Sequence, residues 1–429
     1  MFSFKKAAAG VLSCTMLLGS LVISGCSDSN TSGAQSADNT SNGSSTAHQG
    51  EIKDISSVEL VKDMKIGWSL GNTLDGGNEV NRGQAPGAIE KSWGNPDTTK
   101  EMIDEIKKAG FNVLRVPTTW DWSTGEAPEY KISDEWFARV KEIVDYGMEN
   151  DMYVILNIHH ETWHDPLEAN YEAASDRLKK VWTQIGNYFK DYDEHLIFEG
   201  LNEPRVRNSD EEWNGGSDAT REVVNKLDAD FVSTIRCLDG NNKLRHLMIP
   251  GYAASSSEVA LKGLKIPEND DKLIVSVHAY IPYNFALSDN KRSNKWVACK
   301  EGFTNDIDNL ADMLKTLFTD KGQAVIIGEF GARSKDNEKY RAEWAKYYVT
   351  KMKTVGVPCV WWDNGAFTGS GELFGLFDRR NLEWRYPLLK DALISASNGE
   401  YTVDGLKSDT TILDELKKDI AQSKNSSAE

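Results

Sequence analysis

Phe198-Glu199-Gly200-Leu201-Asn202-Glu203-Pro204-Arg205 is the stretch on which the reading of this chain turns. His195-Leu196-Ile197-Phe198 opens a short apolar run that reads as a buried strand over His195 to Leu201. Pro204 has no N–H for a β-ladder, so the strand ends at Asn202-Glu203. An amide and a carboxylate are left at the mouth of a strand. A carboxyl group there can protonate a glycosidic oxygen, and the amide can hold a neighbouring hydroxyl. The same pair also serves as a plain polar cap on a loop, so the rest of the chain decides between the two.

Seven more short apolar runs share the design of this one. The expected strands are Met64 to Leu70, Phe111 to Val116, Met152 to Ile158, His195 to Leu201, Arg245 to Ile249, Leu273 to Val277, Ala324 to Gly328 and Val357 to Trp361. Continuous apolar runs of this length suit parallel strands covered on both faces. Helical patterns alternate with them over Thr98 to Ala109, Ser133 to Asn150, Ala173 to Lys190, Asp218 to Leu238, Asn305 to Lys321 and Lys335 to Val355. The first has Asp97 and Gly110 placed as caps. The crossover near Ser256 to Leu264 carries the weakest pattern. Eight strand–helix units in one stretch predict an α/β fold, a (β/α)8 TIM barrel forming a single catalytic domain. A doubly wound open sheet would want a glycine-rich phosphate turn after an early strand, and none is present.

A barrel gathers functional groups just after its strands, at the C-terminal face. The expected strand ends deliver Gly71-Asn72-Thr73, Arg115 with Pro117, Asn157 with His159-His160-Glu161, Asn202-Glu203, Gly251-Tyr252, His278 with Tyr280, Glu329, and Trp361-Trp362-Asp363-Asn364. Glu203 follows strand four and Glu329 ends strand seven, on opposite sides of one mouth. Retaining glycosidases use two carboxyl groups about 5–5.5 Å apart, one as acid/base and one as nucleophile. Glu199 shares parity with Glu203 deeper in the strand and reads as a structural acid. Glu161, Asp165 and Asp363 read as groups that bind hydroxyls or cap backbone. Trp120, Trp122, Trp163, Trp213, Tyr283 and Trp296 are candidate sugar platforms, of which half at most are expected to serve. His159 and His160 are adjacent and expected to point to opposite sides of a strand. No His, Asp or Glu spacing suggests a metal site, and no cofactor is expected.

Composition narrows the partners. The chain has 429 residues, 13 Trp and a formal charge of −17. No basic run lies outside the N-terminus, which argues against nucleic acid and against anionic membrane surfaces. Residues 1–25 read as a targeting segment, with Lys5 and Lys6 before an apolar stretch from Val11 to Ile23. Ile23-Ser24-Gly25-Cys26 resembles the lipobox of bacterial lipoproteins, which implies lipid attachment at Cys26. Residues 26–50 are rich in Ser, Asn, Thr and Gly and read as a flexible tether. The barrel is expected over 51–397, and 398–429 as a partly helical or disordered tail. Cys237, Cys299 and Cys359 form no disulfide framework by spacing. The expected protein is a monomer on the bacterial cell surface, touching the membrane only through its lipid.

The chain resembles glycoside hydrolase family 5, the cellulase-type (β/α)8 enzymes, over about Lys62 to Leu393. The matching stretches are Gly67-Trp68-Ser69-Leu70-Gly71-Asn72-Thr73-Leu74-Asp75, Trp93-Gly94-Asn95-Pro96, Ala109 to Pro117, Asn157-Ile158-His159-His160-Glu161, Leu201-Asn202-Glu203-Pro204-Arg205, His278-Ala279-Tyr280, Gly328-Glu329-Phe330-Gly331 and Val360 to Gly365. Ser69 departs from the family's usual Asn. The resemblance is strongest to the subfamily numbered 4, which holds endoglucanases, lichenases and xyloglucanases. It implies a cofactor-free endo-β-1,4-glucanase acting on β-glucan polysaccharide with retention. It implies Glu203 as acid/base and Glu329 as nucleophile, with Arg115 and Tyr280 contacting the nucleophile and His278 beside the acid/base. It further implies that Asn202 binds the 2-hydroxyl, that Asn72, His159 and His160 contact sugar, and that Trp362 floors the cleavage site. Xyloglucanase, lichenase and β-mannanase activity are alternatives on the same residues, and a catalytically idle sugar-binding lipoprotein is a further one.

The N-terminal reading has a direct test. Cys26→Ser is expected to shift the protein out of the membrane fraction with its activity intact. Retention of that variant in washed membranes would refute the lipobox.

Overall fold

Eight parallel strands close on themselves in the computed structural model, which describes residues 48–415, Lys417 and Lys418. The strands are β1 (Ile66–Leu70), β2 (Val113–Val116), β3 (Tyr153–Asn157), β4 (Leu196–Glu199), β5 (Leu247–Ser255), β6 (Leu273–His278), β7 (Ala324–Phe330) and β8 (Cys359–Asp363). Each pairs with its sequence neighbour, and β1 returns to β8 through Ile66–Cys359 to Leu70–Asp363. The helices α1 (Lys100–Ala109), α2 (Asp134–Glu149), α3 (Tyr171–Tyr188), α4 (Asp218–Arg236), α5 (Glu258–Gly263), α6 (Asn305–Leu317), α7 (Glu338–Thr354) and α8 (Pro387–Asn398) follow the strands in turn. The (β/α)8 expectation therefore holds. The targeting segment, Cys26, most of the tether and the tail beyond Lys418 lie outside the described residues.

The two faces of each strand do different work. Outward residues such as Leu114, Val154, Leu196, Phe198, Val275 and Trp361 join the helices in the main core. Inward residues Val113, Ile155, Ile197, Met248, Ile274, Ile326 and Val360 form a separate apolar layer inside the barrel. Leu60, Val61 and Met64, from and just after the short helix Ser57–Asp63, join that layer and plug the base. The next inward positions toward the C-terminal ends are Ser69, Arg115, Asn157, Glu199 and Ser276, all buried. An apolar floor thus supports a polar layer, and the site stands on that layer.

Several boundaries differ from expectation. β4 stops at Glu199, so Asn202 and Glu203 lie beyond the sheet, where the Asn202 N–H donates to the Ile158 carbonyl at 2.9 Å. α1 begins at Lys100 with Thr99 as its N-cap. Asp97 pairs with Lys91 at 2.8 Å instead of capping. Gly110 does end that helix, at φ 111°. The fifth helix is short, as its weak pattern foretold. Ordered contact also runs past the expected limits at both ends. Gln49 bridges to Tyr192, and the short helix Val403–Ser408 buries Leu406 and sends Lys407 to Asp308 at 2.8 Å.

Arg245, just ahead of β5, is fully buried and donates to the carbonyls of Phe189, Tyr192, Asp193 and Leu196 at 2.7–3.2 Å. It fastens the turn between α3 and β4, with no carboxylate paired to it among the described residues. Arg245→Met would leave those carbonyls buried and short of a donor. Each such group costs about 1–3 kcal/mol, so urea unfolding should show a loss of about 3 kcal/mol or more. A loss below about 1 kcal/mol would mean that water replaces the guanidinium there.

Candidate active site

Arg115 is the hub of the polar layer. Its Nε donates to Glu199 Oε2 at 2.8 Å, Nη1 to Glu329 Oε1 at 2.6 Å and Nη2 to Asn202 Oδ1 at 2.7 Å. Burial disfavours its charge, but Glu199 and Glu329 outweigh that and keep it a cation. Glu199 is held from the other side by Ser276 Oγ at 2.6 Å and Asn157 Nδ2 at 3.0 Å. It is the structural acid expected, and it braces the guanidinium. Ser69 Oγ, where the sequence departs from the family, is buried with no hydrogen-bond partner among the described residues.

Glu329 closes the hub toward the mouth. Tyr280 Oη donates to its Oε2 at 2.8 Å, so each carboxylate oxygen has its own donor. Burial, then Glu329 and Glu203, push the Tyr280 phenol well above its ordinary range and keep it a donor. Across the mouth, His278 Nδ1 lies 2.8 Å from Glu203 Oε1 and 3.7 Å from Glu329 Oε2. One ligand atom from each of Glu203, His278 and Glu329 falls within 4.8 Å of the others. An oxygen of Glu203 and an oxygen of Glu329 thus lie within 4.8 Å of each other across the mouth, the close approach a retaining pair needs.

Glu203 and His278 shift one another in opposite directions. Burial disfavours charge on Glu203, but the hydrogen bond and charge of His278, with Arg205 and His160 beyond, hold its carboxyl below the usual range. Burial likewise disfavours charge on His278, and Glu329 and Glu203 overcome it and raise its pKa.

A second group lines the cleft beside β1 and β3. Asp75 Oδ2 lies 3.9 Å from Nε2 of both His159 and His160. The two imidazoles converge, with ring centroids 4.4 Å apart, against the expectation that they diverge. Both follow the end of β3 at Asn157, where strand alternation no longer governs. His159 is kept neutral by burial and by the nearby cations, and it stacks on Trp362 at 5.7 Å with a 5° tilt. Gly71 makes room for that indole, since a Cβ there would lie 2.7 Å from it. Asn72 sits at φ 56° with its N–H on Asp75 Oδ2 and its carbonyl on Asn95 Nδ2. Asp75 and the exposed Trp93, which packs on His160 at 5.6 Å, were missed as site residues. The signal was present, because both lie inside matched motifs.

Other candidates separate by burial. Trp120, Trp122 and Trp296 are buried and belong to the core, whereas Trp213 and Tyr283 are exposed and Trp163 is half-buried. Arg205 lies over Trp213 at 4.2 Å and reaches Glu203 Oε2 at 3.4 Å. Glu161 accepts from the backbone of Trp120 and Asp121 and from Trp163 Nε1. Burial, with Asp121 adding to it, pushes its carboxyl up to about 7. Asp165 pairs with Arg207 at 2.7 Å. Asp363 is fully buried at the end of β8, where it accepts from Trp68 Nε1 and from three backbone N–H groups. These acids hold loops.

The Glu203–His278 pair carries a pH signature. Glu203, depressed below 4.5, contributes stability present above that value and lost as pH falls through its folded pKa. His278, raised above 6.5, contributes stability present below that value and lost as pH rises through its folded pKa. The melting-temperature gap between the native protein and His278→Gln should therefore be widest between the two ordinary values and shrink on either side. A gap constant with pH would remove the pair from the stability account.

Residues 75–368 match the family model for cellulase, glycosyl hydrolase family 5. Among relatives, Endoglucanase B of Neocallimastix patriciarum is 48% identical over 367 residues, covering 84% of this chain and 75% of that protein. Endoglucanase A of Ruminococcus albus is 45% identical over 354 residues, covering 81% and 94%. Among solved structures, a GH5-4 broad specificity endoglucanase from Ruminococcus champanellensis with bound cellotriose superposes with a TM-score of 0.77 at 43% identity, covering 80% of this chain and 99% of that one. A GH5 lichenase from a Caldicellulosiruptor species gives a TM-score of 0.76 at 42% identity, covering 81% and 97%. With the barrel, the hub and these likenesses together, the chain belongs to glycosyl hydrolase family 5.

Proposed function

We propose that this glycosidase is a retaining endo-β-1,4-glucanase in which Glu203 is the acid/base and Glu329 the nucleophile. The observation that carries the reading is the facing pair of carboxyl groups, within 4.8 Å of each other, one clamped by Arg115 and Tyr280 and the other hydrogen-bonded to His278. The clamped group is fixed in place with a cation beside it, as an attacking carboxylate must be. The other shares its bond with an ionisable partner, as a group that gives and takes a proton must.

In the first step Glu203, protonated across its bond to His278, gives that proton to the glycosidic oxygen. Glu329 attacks the anomeric carbon, and the carbon–oxygen bond to the leaving sugar breaks. In the second step water attacks the glycosyl ester, Glu203 takes its proton, and Glu329 leaves as a carboxylate. Asn202, its carbonyl turned to Arg115, offers its amide nitrogen to the 2-hydroxyl. Trp362 floors the cleavage site, and Asn72, His159 and His160 contact the sugars beside it. Support for a β-1,4-glucan substrate comes from the cellotriose held by a relative, and for internal cleavage from relatives named endoglucanases. The lichenase relative favours mixed-linkage glucan as a second substrate. We further propose a secreted monomer anchored through lipid at Cys26, on the strength of the N-terminal sequence.

The two glutamates separate by chemistry. Glu203→Ala and Glu329→Ala should each lose about 10²–10⁴-fold or more on polysaccharide. On an aryl cello-oligoside, whose leaving group needs little protonation, Glu203→Ala should form the intermediate, stall, and be rescued by azide to a β-glycosyl azide. Glu329→Ala should give only the α-azide. Exchanged products would swap the roles, and full activity of either variant on polysaccharide would end the reading.

A further inference from the structure

A second cluster of ionisable groups lies at the opposite end of the barrel. His195 and Asp193 lead into β4, Asp151 ends the turn before β3, and His48 comes from the N-terminal segment. That segment is laid against the base of the barrel by two backbone bonds and the antiparallel bridge they make. Gly50 N–H donates to the Asp191 carbonyl at 3.0 Å, Asp193 N–H donates to the His48 carbonyl at 3.0 Å, and Gln49 bridges to Tyr192. Lys53 reaches Glu194 at 2.7 Å in the same region.

Asp193 holds both imidazoles. Its Oδ2 lies 2.8 Å from His48 Nδ1, and its Oδ1 lies 3.0 Å from His195 Nδ1 and accepts the His195 backbone N–H at 2.9 Å. Each Asp193 oxygen thus faces one Nδ1, and the Nδ1–H tautomer of each ring satisfies both contacts. In the neutral ring Nε2 then presents a lone pair. Both Nε2 atoms turn toward one oxygen of Asp151, at 3.3 Å from His48 and 3.8 Å from His195. One ligand atom from each of His48, Asp151 and His195 falls within 4.8 Å of the others. Donors around tetrahedral zinc, at about 2.0–2.2 Å from the metal, stand about 3.3–3.6 Å from one another. The Asp151 side chain is 77% exposed and free to adjust, while the two histidines are mostly covered. A carboxylate that fixes the tautomer of a histidine is the usual outer support of a metal-binding imidazole.

We propose that His48, His195 and Asp151 bind one divalent cation of the zinc class, with Asp193 orienting both imidazoles. The ion fastens residues 48–53 to the base of the barrel. Two imidazoles and one carboxylate select zinc, cobalt or nickel over calcium and magnesium, which want oxygen ligands. Hydrolysis does not use this site, which lies at the end of the barrel away from Glu203 and Glu329.

The test is a Zn²⁺ titration of the chelator-treated full chain at pH 7.5, by calorimetry and by thermal melting. One ion should bind, and the melting temperature should rise by about 2 °C for each tenfold excess of free Zn²⁺ over Kd. His48→Gln should weaken binding at least tenfold and Asp193→Asn by about 10–100-fold, with β-glucan hydrolysis unchanged. His160→Gln controls for the Asp75, His159 and His160 group in the cleft. Zn²⁺ binding lost in His160→Gln but kept in His48→Gln would overturn the proposal. So would the absence of binding, which would leave a cluster of His–carboxylate ion pairs. Co²⁺ added to the native chain gives a readout independent of any variant. Intense visible bands of a four-coordinate nitrogen–oxygen site support the proposal, and the pale spectrum of hydrated Co²⁺ overturns it.

Discussion

A fully buried guanidinium is the constraint on which the rest of this site depends. Arg115 cannot shed its charge and has no water to share it with, so the barrel must surround it with acceptors. Two carboxylates and an amide do so, each on a different edge of the planar fork. Glu199 is wholly inside the barrel and is itself held by Ser276 and Asn157, so it cannot swing away. It fixes the guanidinium, and the guanidinium in turn fixes Glu329 and Asn202. Glu329 at the end of β7 and Asn202 in the loop after β4 are thereby placed by one side chain on β2. The Arg–carboxylate contacts are weak evidence for stability, because desolvation offsets their attraction. Their worth lies in geometry.

That geometry needs a floor. Below Arg115 the inward positions are Val, Ile and Met from seven strands, sealed by Leu60 and Val61. Above it they turn polar within one step along the strands. The same alternation that sends Leu114 and Val116 out to the helices sends Val113 and Arg115 inward. A one-residue slip of β2 would exchange the two sets, so the buried face and the site specify the register together.

Much of this was legible in the sequence because parallel strands covered on both faces write themselves as short apolar runs. Arg115 and Trp362 fall at strand positions whose facing follows from alternation, whereas Glu329 has the parity of the outward Ile327 and faces the mouth past an irregularity in β7. The reading weakened where the chain leaves the sheet. Glu203 lies four residues past the end of β4, and His159 and His160 turn together once β3 has stopped. Loop tryptophans were illegible for a related reason. Trp120 and Trp296 look like sugar platforms in sequence, yet their indole N–H groups find the carbonyls of Asn157 and Phe303, which lets the rings be buried. The base cluster was invisible, since His48, Asp151 and His195 lie far apart in the chain and no local spacing joins them.

The position of the active-site proton follows from counting charges. With a proton on His278, that ring and Arg115 set two positive groups against the carboxyls of Glu199, Glu203 and Glu329. Moving the proton from His278 Nδ1 to Glu203 Oε1, across 2.8 Å, erases one charge of each sign. Water in an open cleft opposes that move, because it solvates the separated pair. A neutral sugar chain that displaces the water removes this solvation, and in a drier site the neutral acid and neutral imidazole are favoured. On the proposed mechanism, substrate binding itself arms the acid. Formation of the glycosyl ester then neutralises Glu329, and the ionised Glu203 left by proton donation no longer faces a second carboxylate. The same carboxyl is thus an acid before the ester forms and a base after it, with His278 holding the proton while the cleft is open.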